Sequence, residues 1–215
     1  LQRVLFHGPQ FQAGAGRRQR QKALGGQQHV EAGAEAGFAD HEAVAVGEGG
    51  EAPVQLVAVE EYVNAFLTPA KMVWEKELQT PLNFVGAKAV DHQYTTEDLT
   101  AILGVSGQLQ GNVLYGFGGG TAIAVASAMV GETVTELDDM SMSALGELAN
   151  MITGNAATQL SAKSYECDIS PPLIIEPSGS RISTLSGMQI LTSFKSEYGE
   201  LYIRICLNEN LKYKG

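Results

Sequence analysis

The sequence predicts an α/β (α+β) domain of two layers, a largely antiparallel sheet packed against helices. Three observations lead there. Apolar residues recur at helical spacing in residues 63–79, 121–131 and 143–160. Short runs rich in β-branched and aromatic residues stand in pairs joined by turn-forming residues. Hydrophobic residues make up 44% of a 215-residue chain, enough for a substantial core in one good-sized domain.

The elements follow in chain order. "VNAFLTPAKMVWEKELQ", residues 63–79, places Phe66, Ala70, Val73, Trp74 and Leu78 on one helical face. "LTAILGVSG" and "GNVLYGF" are strand-like runs separated by Gln108–Gln110, an antiparallel hairpin. "TAIAVASAMVG" reads as a helix that starts at a cap on Thr121 and stops at Gly131. The hinge "FGGGTA" before it lacks the GK[ST] of a phosphate loop and fits the dinucleotide pattern only in part, so it reads as a tight turn into a helix. A long helix over Ser143–Leu160 follows the acidic "ELDD". "CDISPPLIIEPSG" is a strand bracketed by prolines. "GMQILTSF" and "GELYIRICL" form a last hairpin around Tyr198-Gly199. The order hints at a duplicated helix–strand–strand theme, with no residue-level repeat to prove it.

Residues 1–60 contain no Ser, Thr, Asn, Ile, Met, Tyr, Trp or Cys, whereas the rest of the chain uses all eight. Their few large apolar residues offset little of the entropy cost of ordering. Residues 1–62 are therefore expected to be a disordered or non-native extension, with a native start near Val63 and the folded domain at residues 63–215. The cluster "RRQRQK", Arg17–Lys22, is a short solvated charge run, because no aromatics interleave with it and acidic residues outnumber basic ones in the segment.

A net charge of −10 argues against nucleic acid or an anionic membrane as the main partner. No apolar run approaches the roughly 20 residues of a bilayer span, and no signal-peptide order appears, so a cytoplasmic location is expected. Cys167 and Cys206 lack metal-ligand spacing and read as buried thiols. His7, His29 and His41 fall in the N-terminal segment, leaving His92 alone elsewhere, so no metal site is expected.

The long helix spends its polar face in an unusual way. Leu145, Leu148, Ala149, Ile152, Ala156 and Leu160 make its core stripe, while Ser143, Glu147, Asn150, Gly154 and Thr158 recur on the opposite side. A solvated helix usually fills such a face with Lys, Arg and Glu. Here Gly146 and Gly154 accept a cost of about 1 kcal/mol each in a helix interior. Small residues around one carboxylate and one carboxamide predict a face shaped to receive another molecule, with Ser143, Gly146 and Gly154 as its docking surface.

The motif identifies a candidate for that molecule. "LDDMSMSALGELANMITGNAATQL" followed by "DISPP" resembles the CheC/CheX/FliY family of chemotaxis phosphatases, whose motif is Ser or Asp, three residues, Glu, two residues, Asn, and a later proline. Ser143, Glu147, Asn150 and Pro172 fill those places, the interval to Pro172 being one residue short of the family's usual one. The resemblance extends over most of residues 64–207. The first helix has Leu78 where a second site would need Asn after Glu75, so the chain is most similar to the single-site CheX branch.

This resemblance implies a homodimer that hydrolyses the aspartyl phosphate of a CheY-like response regulator. Catalytic roles would fall to Asn150, holding the attacking water, and Glu147, pairing with a receiver lysine. The receiver would supply Mg2+, and the chain would need no cofactor of its own. The rival reading is a non-catalytic adaptor that binds receivers or flagellar switch components through the same face. Open sheet edges near Ile174 and Ile175 and in the C-terminal hairpin also predict pairing with a second copy.

Overall fold

The computed structural model describes residues 54–90, 93–176, 179–183 and 189–213, with side chains in the first helix from residue 62 onward. The Arg17–Lys22 cluster and all four histidines lie outside the described residues. Helix α1 (Val54–Leu78) starts before Val63, so the point where composition changes lies inside it. Phe66, Ala70, Val73, Trp74 and Leu78 are all buried, as their spacing predicts.

Among the described residues nine strands and two more α-helices follow: β1 (Asn83–Val90), β2 (Gln93–Thr95), β3 (Leu99–Gly107), β4 (Leu109–Phe117), α2 (Gly119–Val130), α3 (Asp139–Ser161), β5 (Cys167–Ile169), β6 (Leu173–Ile175), β7 (Arg181–Ser183), β8 (Gln189–Ser196) and β9 (Gly199–Glu209). Both expected hairpins form. β3 pairs β4 from Leu99↔Phe117 to Val105↔Gly111, and β8 pairs β9 around the Glu197-Tyr198 turn.

The main sheet runs β1-β8-β9-β4-β3-β5, with β6 continuing beside β3, and every pairing in it is antiparallel. The two hairpins meet at its centre through β4 and β9. Each hairpin is flanked by a strand from the other half of the chain: β1, after α1, lies beside β8, and β5–β6, after α3, lies beside β3. The first half thus adds β1 and β2 to the two strands the sequence suggested, and in the second half the proline-bracketed strand is split into β5 and β6, with β7 added. β1 escaped notice because Gly86 and Lys88 interrupt its alternation and the register shifts between Phe84 and Gly86. β2 and β7 have three residues each, too few for a period to show.

Alternation along the strands separates two faces. Leu99, Leu103, Val113, Phe117, Ile203 and Phe194 point into one core with the apolar stripes of all three helices. On the other face the β2–β7 ribbon lays Tyr94 against Leu114 and Cys206. The Arg204 guanidinium stands 4.3 Å from the Tyr94 ring centroid, a cation–π contact. Cys206 is buried as expected, but Cys167 is only half-buried, because β5 lies at the sheet's edge.

Two further expectations change. The N-terminus of α2 is not capped by Thr121, which is buried in the first turn; the carboxylate of Asp98 accepts from Gly119 N–H at 2.7 Å instead. Gly131 does end the helix, in the left-handed conformation that glycine tolerates. The C-terminal hairpin is interior to the sheet rather than an edge; the edges are β1 and β5–β6.

Candidate functional site

α3 begins at Asp138, whose carboxylate accepts from the backbone N–H of Ser141 at 2.8 Å and from its hydroxyl at 2.5 Å. Those two bonds favour the charged form and hold the Asp138 carboxyl below the usual carboxylate range. From this cap the predicted stripe runs inward: Leu145, Leu148, Ala149, Ile152, Ala156 and Leu160 are all buried. Ser143, Glu147 and Thr158 are exposed on the other side, with Asn150 and Gly154 half-buried. The helix therefore presents Glu147 and Asn150 one turn apart, away from the core.

Neighbouring polar groups on α3 are already committed. Thr153 donates to the carbonyl of Ala149, Asn155 to that of Met151 and Thr158 to that of Gly154. Among the described residues, Ser143, Glu147 and Asn150 make no side-chain hydrogen bond or ion pair. Their donor and acceptor capacity is left for something outside the fold.

The glycines divide. A Cβ on Gly146 would stand 3.3 Å from Cγ of Pro172 and 3.4 Å from Cδ1 of Ile174, and the residue is buried. The close approach that its missing side chain permits is to the chain's own β6 segment, which corrects its assignment to the docking surface. A Cβ on Gly154 would meet only Cδ1 of Ile169 at 3.8 Å, an ordinary contact. Packing within the chain does not demand glycine there, and Gly154 leaves open space one turn beyond Asn150.

The Gly146 contact also explains Pro172. Its ring rests on α3 immediately before Glu147 and brings the bend between β5 and β6 beside the candidate site. Ser170 ties that bend down, a residue that sequence reasoning passed over. Its N–H donates to Gly104 O at 2.9 Å, and its hydroxyl accepts from Gly104 N at 2.8 Å and donates to Pro171 O at 2.9 Å. The only sequence signal was a serine beside two prolines at an edge strand.

Other candidate sites are closed. The "FGGGTA" turn offers its first helical N–H to Asp98 rather than to a phosphate. Leu78, at the position where α1 would need a second Asn, is buried in the core. Among the described residues no three His, Cys, Asp or Glu side chains could hold a metal ion.

Residues 99–194 match the family model described as "Chemotaxis phosphatase CheX". A curated relative, the CheY-P phosphatase CheX of Thermotoga maritima, is 36% identical over 87 residues, which cover 40% of this chain and 56% of that protein. Among solved structures, the chemotaxis protein CheX from Desulfovibrio desulfuricans superposes with a TM-score of 0.64 at 26% identity, covering 69% of this chain and 99% of that one. The CheX-CheY-BeF3-Mg2+ complex from Borrelia burgdorferi gives 0.60 at 25% identity, covering 69% and 98%. The helices and antiparallel sheet are thus those of CheX-like proteins.

Proposed function

We propose that this chain, a CheX-like member of the CheC/CheX/FliY family, is a phosphatase that hydrolyses the aspartyl phosphate of a CheY-like response regulator, in chemotaxis or another two-component circuit of the cytoplasm. The observation that carries the proposal is the pair of uncommitted heads, Glu147 and Asn150, side by side on the outward face of a helix on which Thr153, Asn155 and Thr158 are each committed to a backbone carbonyl.

An aspartyl phosphate is an acyl phosphate that water attacks slowly without help. The enzyme's task is to place that water in line with the scissile P–O bond. The Asn150 carboxamide has both a donor and an acceptor, so it can hold a water in one orientation, and it cannot serve as a general base. Glu147 is acceptor-only when ionised and suits a charge-assisted bond to a receiver lysine beside the phosphoaspartate. Ser143 and Gly154 leave the flanks of the pair low enough for the receiver to approach. The receiver's own acidic residues would hold Mg2+, which neutralises phosphoryl charge.

Glu147→Ala should weaken binding to a receiver loaded with beryllofluoride as a phosphoryl mimic, by about tenfold in Kd. Glu147→Lys should weaken it more, since it brings like charges together. Both variants should keep the melting temperature of the parent, because the side chain is exposed. Titration calorimetry and thermal melts of each variant check this. Equal affinity in all three proteins would remove Glu147 from the docking role.

A homodimer belongs to the same reading, now with a different edge. β6 begins beside Pro171 and Pro172, which cannot donate to a further ladder, whereas β1 is an eight-residue edge with Val85 66% exposed. Light scattering at micromolar concentration should give twice the 22.8 kDa of one chain. A monomeric mass would count against it.

A further inference from the structure

The apolar stripe that seats α3 on the sheet is non-directional, so by itself it fixes neither the rotation of the helix nor its position along the axis with much precision. One directional contact bears on both. The hydroxyl of Tyr115, in the sheet's central strand β4, lies 2.8 Å from Oγ1 of Thr153 in α3, and both residues are buried. Thr153 has a single hydroxyl hydrogen and gives it to Ala149 O at 2.8 Å, so Tyr115 is the donor and Thr153 the acceptor. Among the described residues this is the one hydrogen bond between α3 and a strand of the sheet.

Thr153 stands three residues after Asn150, less than one turn away. Side-chain heads ride about 5–6 Å from a helix axis, so a turn of roughly 10° carries one through about 1 Å. Misplacing a positioned group by about 1 Å can cost roughly 100-fold in rate. We infer that the buried Tyr115–Thr153 bond is the pin that sets the rotation of α3 and thereby the aim of Asn150, which makes Tyr115 and Thr153 positioning residues for the phosphatase reaction.

This rests on the reading of Asn150 as the group that orients water, and the test separates the two. Tyr115→Phe removes one hydroxyl, and Thr153 keeps its bond to Ala149, so no buried group is orphaned. In assays of phosphorylated-receiver decay, Tyr115→Phe should lower kcat about tenfold or more, with receiver Kd within about twofold. Thr153→Val should do the same, and Thr153→Ser, which retains the acceptor, should restore the rate. In an Asn150→Ala background Tyr115→Phe should change nothing further, because its effect passes through Asn150. A melting temperature that falls while kcat holds would make the bond merely structural and overturn the inference, as would an equal loss of rate in the Asn150→Ala background. The side-chain amide NMR signal of Asn150 gives a readout independent of activity. It should shift in Tyr115→Phe and stay in place in Thr153→Ser. If the parent protein accelerates no receiver's decay, the functional reading fails, and this signal alone decides the pin: an unmoved resonance in Tyr115→Phe overturns it.

Discussion

Replacing Asn150 with alanine is expected to remove most of the chain's acceleration of receiver dephosphorylation, at least roughly 100-fold in kcat, while leaving its affinity for a beryllofluoride-loaded receiver within a few-fold of the parent. The split follows from the role. A group that only orients water acts in the transition state and contributes little to holding the ground-state complex. Asn150 is half-buried and makes no side-chain hydrogen bond among the described residues, so its truncation orphans no partner inside the fold and should leave the thermal midpoint nearly unchanged. Two measurements per variant are needed: the lifetime of the phosphorylated receiver, and the Kd of the stable complex. Undiminished activity in Asn150→Ala would leave the adaptor reading in its place.

The largest effect on stability is expected at Gly111, in the central strand β4. Its φ is +148°, and a Cβ there would stand 1.9 Å from the backbone oxygen of Cys206 on β9. A backbone carbonyl in the middle of a paired strand cannot give way as the end of a flexible side chain could. Gly111→Ala must either part β4 from β9 or twist a residue through a conformation that only glycine adopts easily. The cost should be about 3 kcal/mol or more, a fall of roughly 10 °C in melting temperature for a domain of this size. Gly120→Ala is the control: nothing lies within 4 Å of the added methyl, and alanine favours the first turn of α2. Equal melting temperatures for the two variants would contradict the geometry.

Periodicity recovered the elements that bury one clean face. α1, α3, the β3–β4 hairpin and the β8–β9 hairpin all place their apolar residues at the spacing that their structure requires. It missed β1, β2 and β7, where a bulge, a lysine or sheer brevity hides the alternation. The candidate site shows the same division. Glu147 and Asn150 were legible because residues three apart on a helix must share a face. Gly146 was misplaced because its neighbour, Pro172, is distant in sequence and reaches the helix only once β6 has paired with β3. The same limit hid Ser170, whose partner is Gly104, and Tyr115, whose partner is Thr153. A sequence read by local period shows which way a side chain points but not what it meets there.

Turnover of aspartyl phosphate would show itself in the decay of a phosphorylated CheY-like receiver at substoichiometric amounts of the full chain. The receiver is labelled on its aspartate with radioactive phosphate, and the released phosphate is counted over time. Many turnovers per chain are expected, with a decay rate that rises in proportion to the amount of chain added and falls back to the spontaneous rate with Asn150→Ala. Decay at the spontaneous rate for every receiver of the same cell, even where the chain binds the beryllofluoride-loaded form, would contradict it.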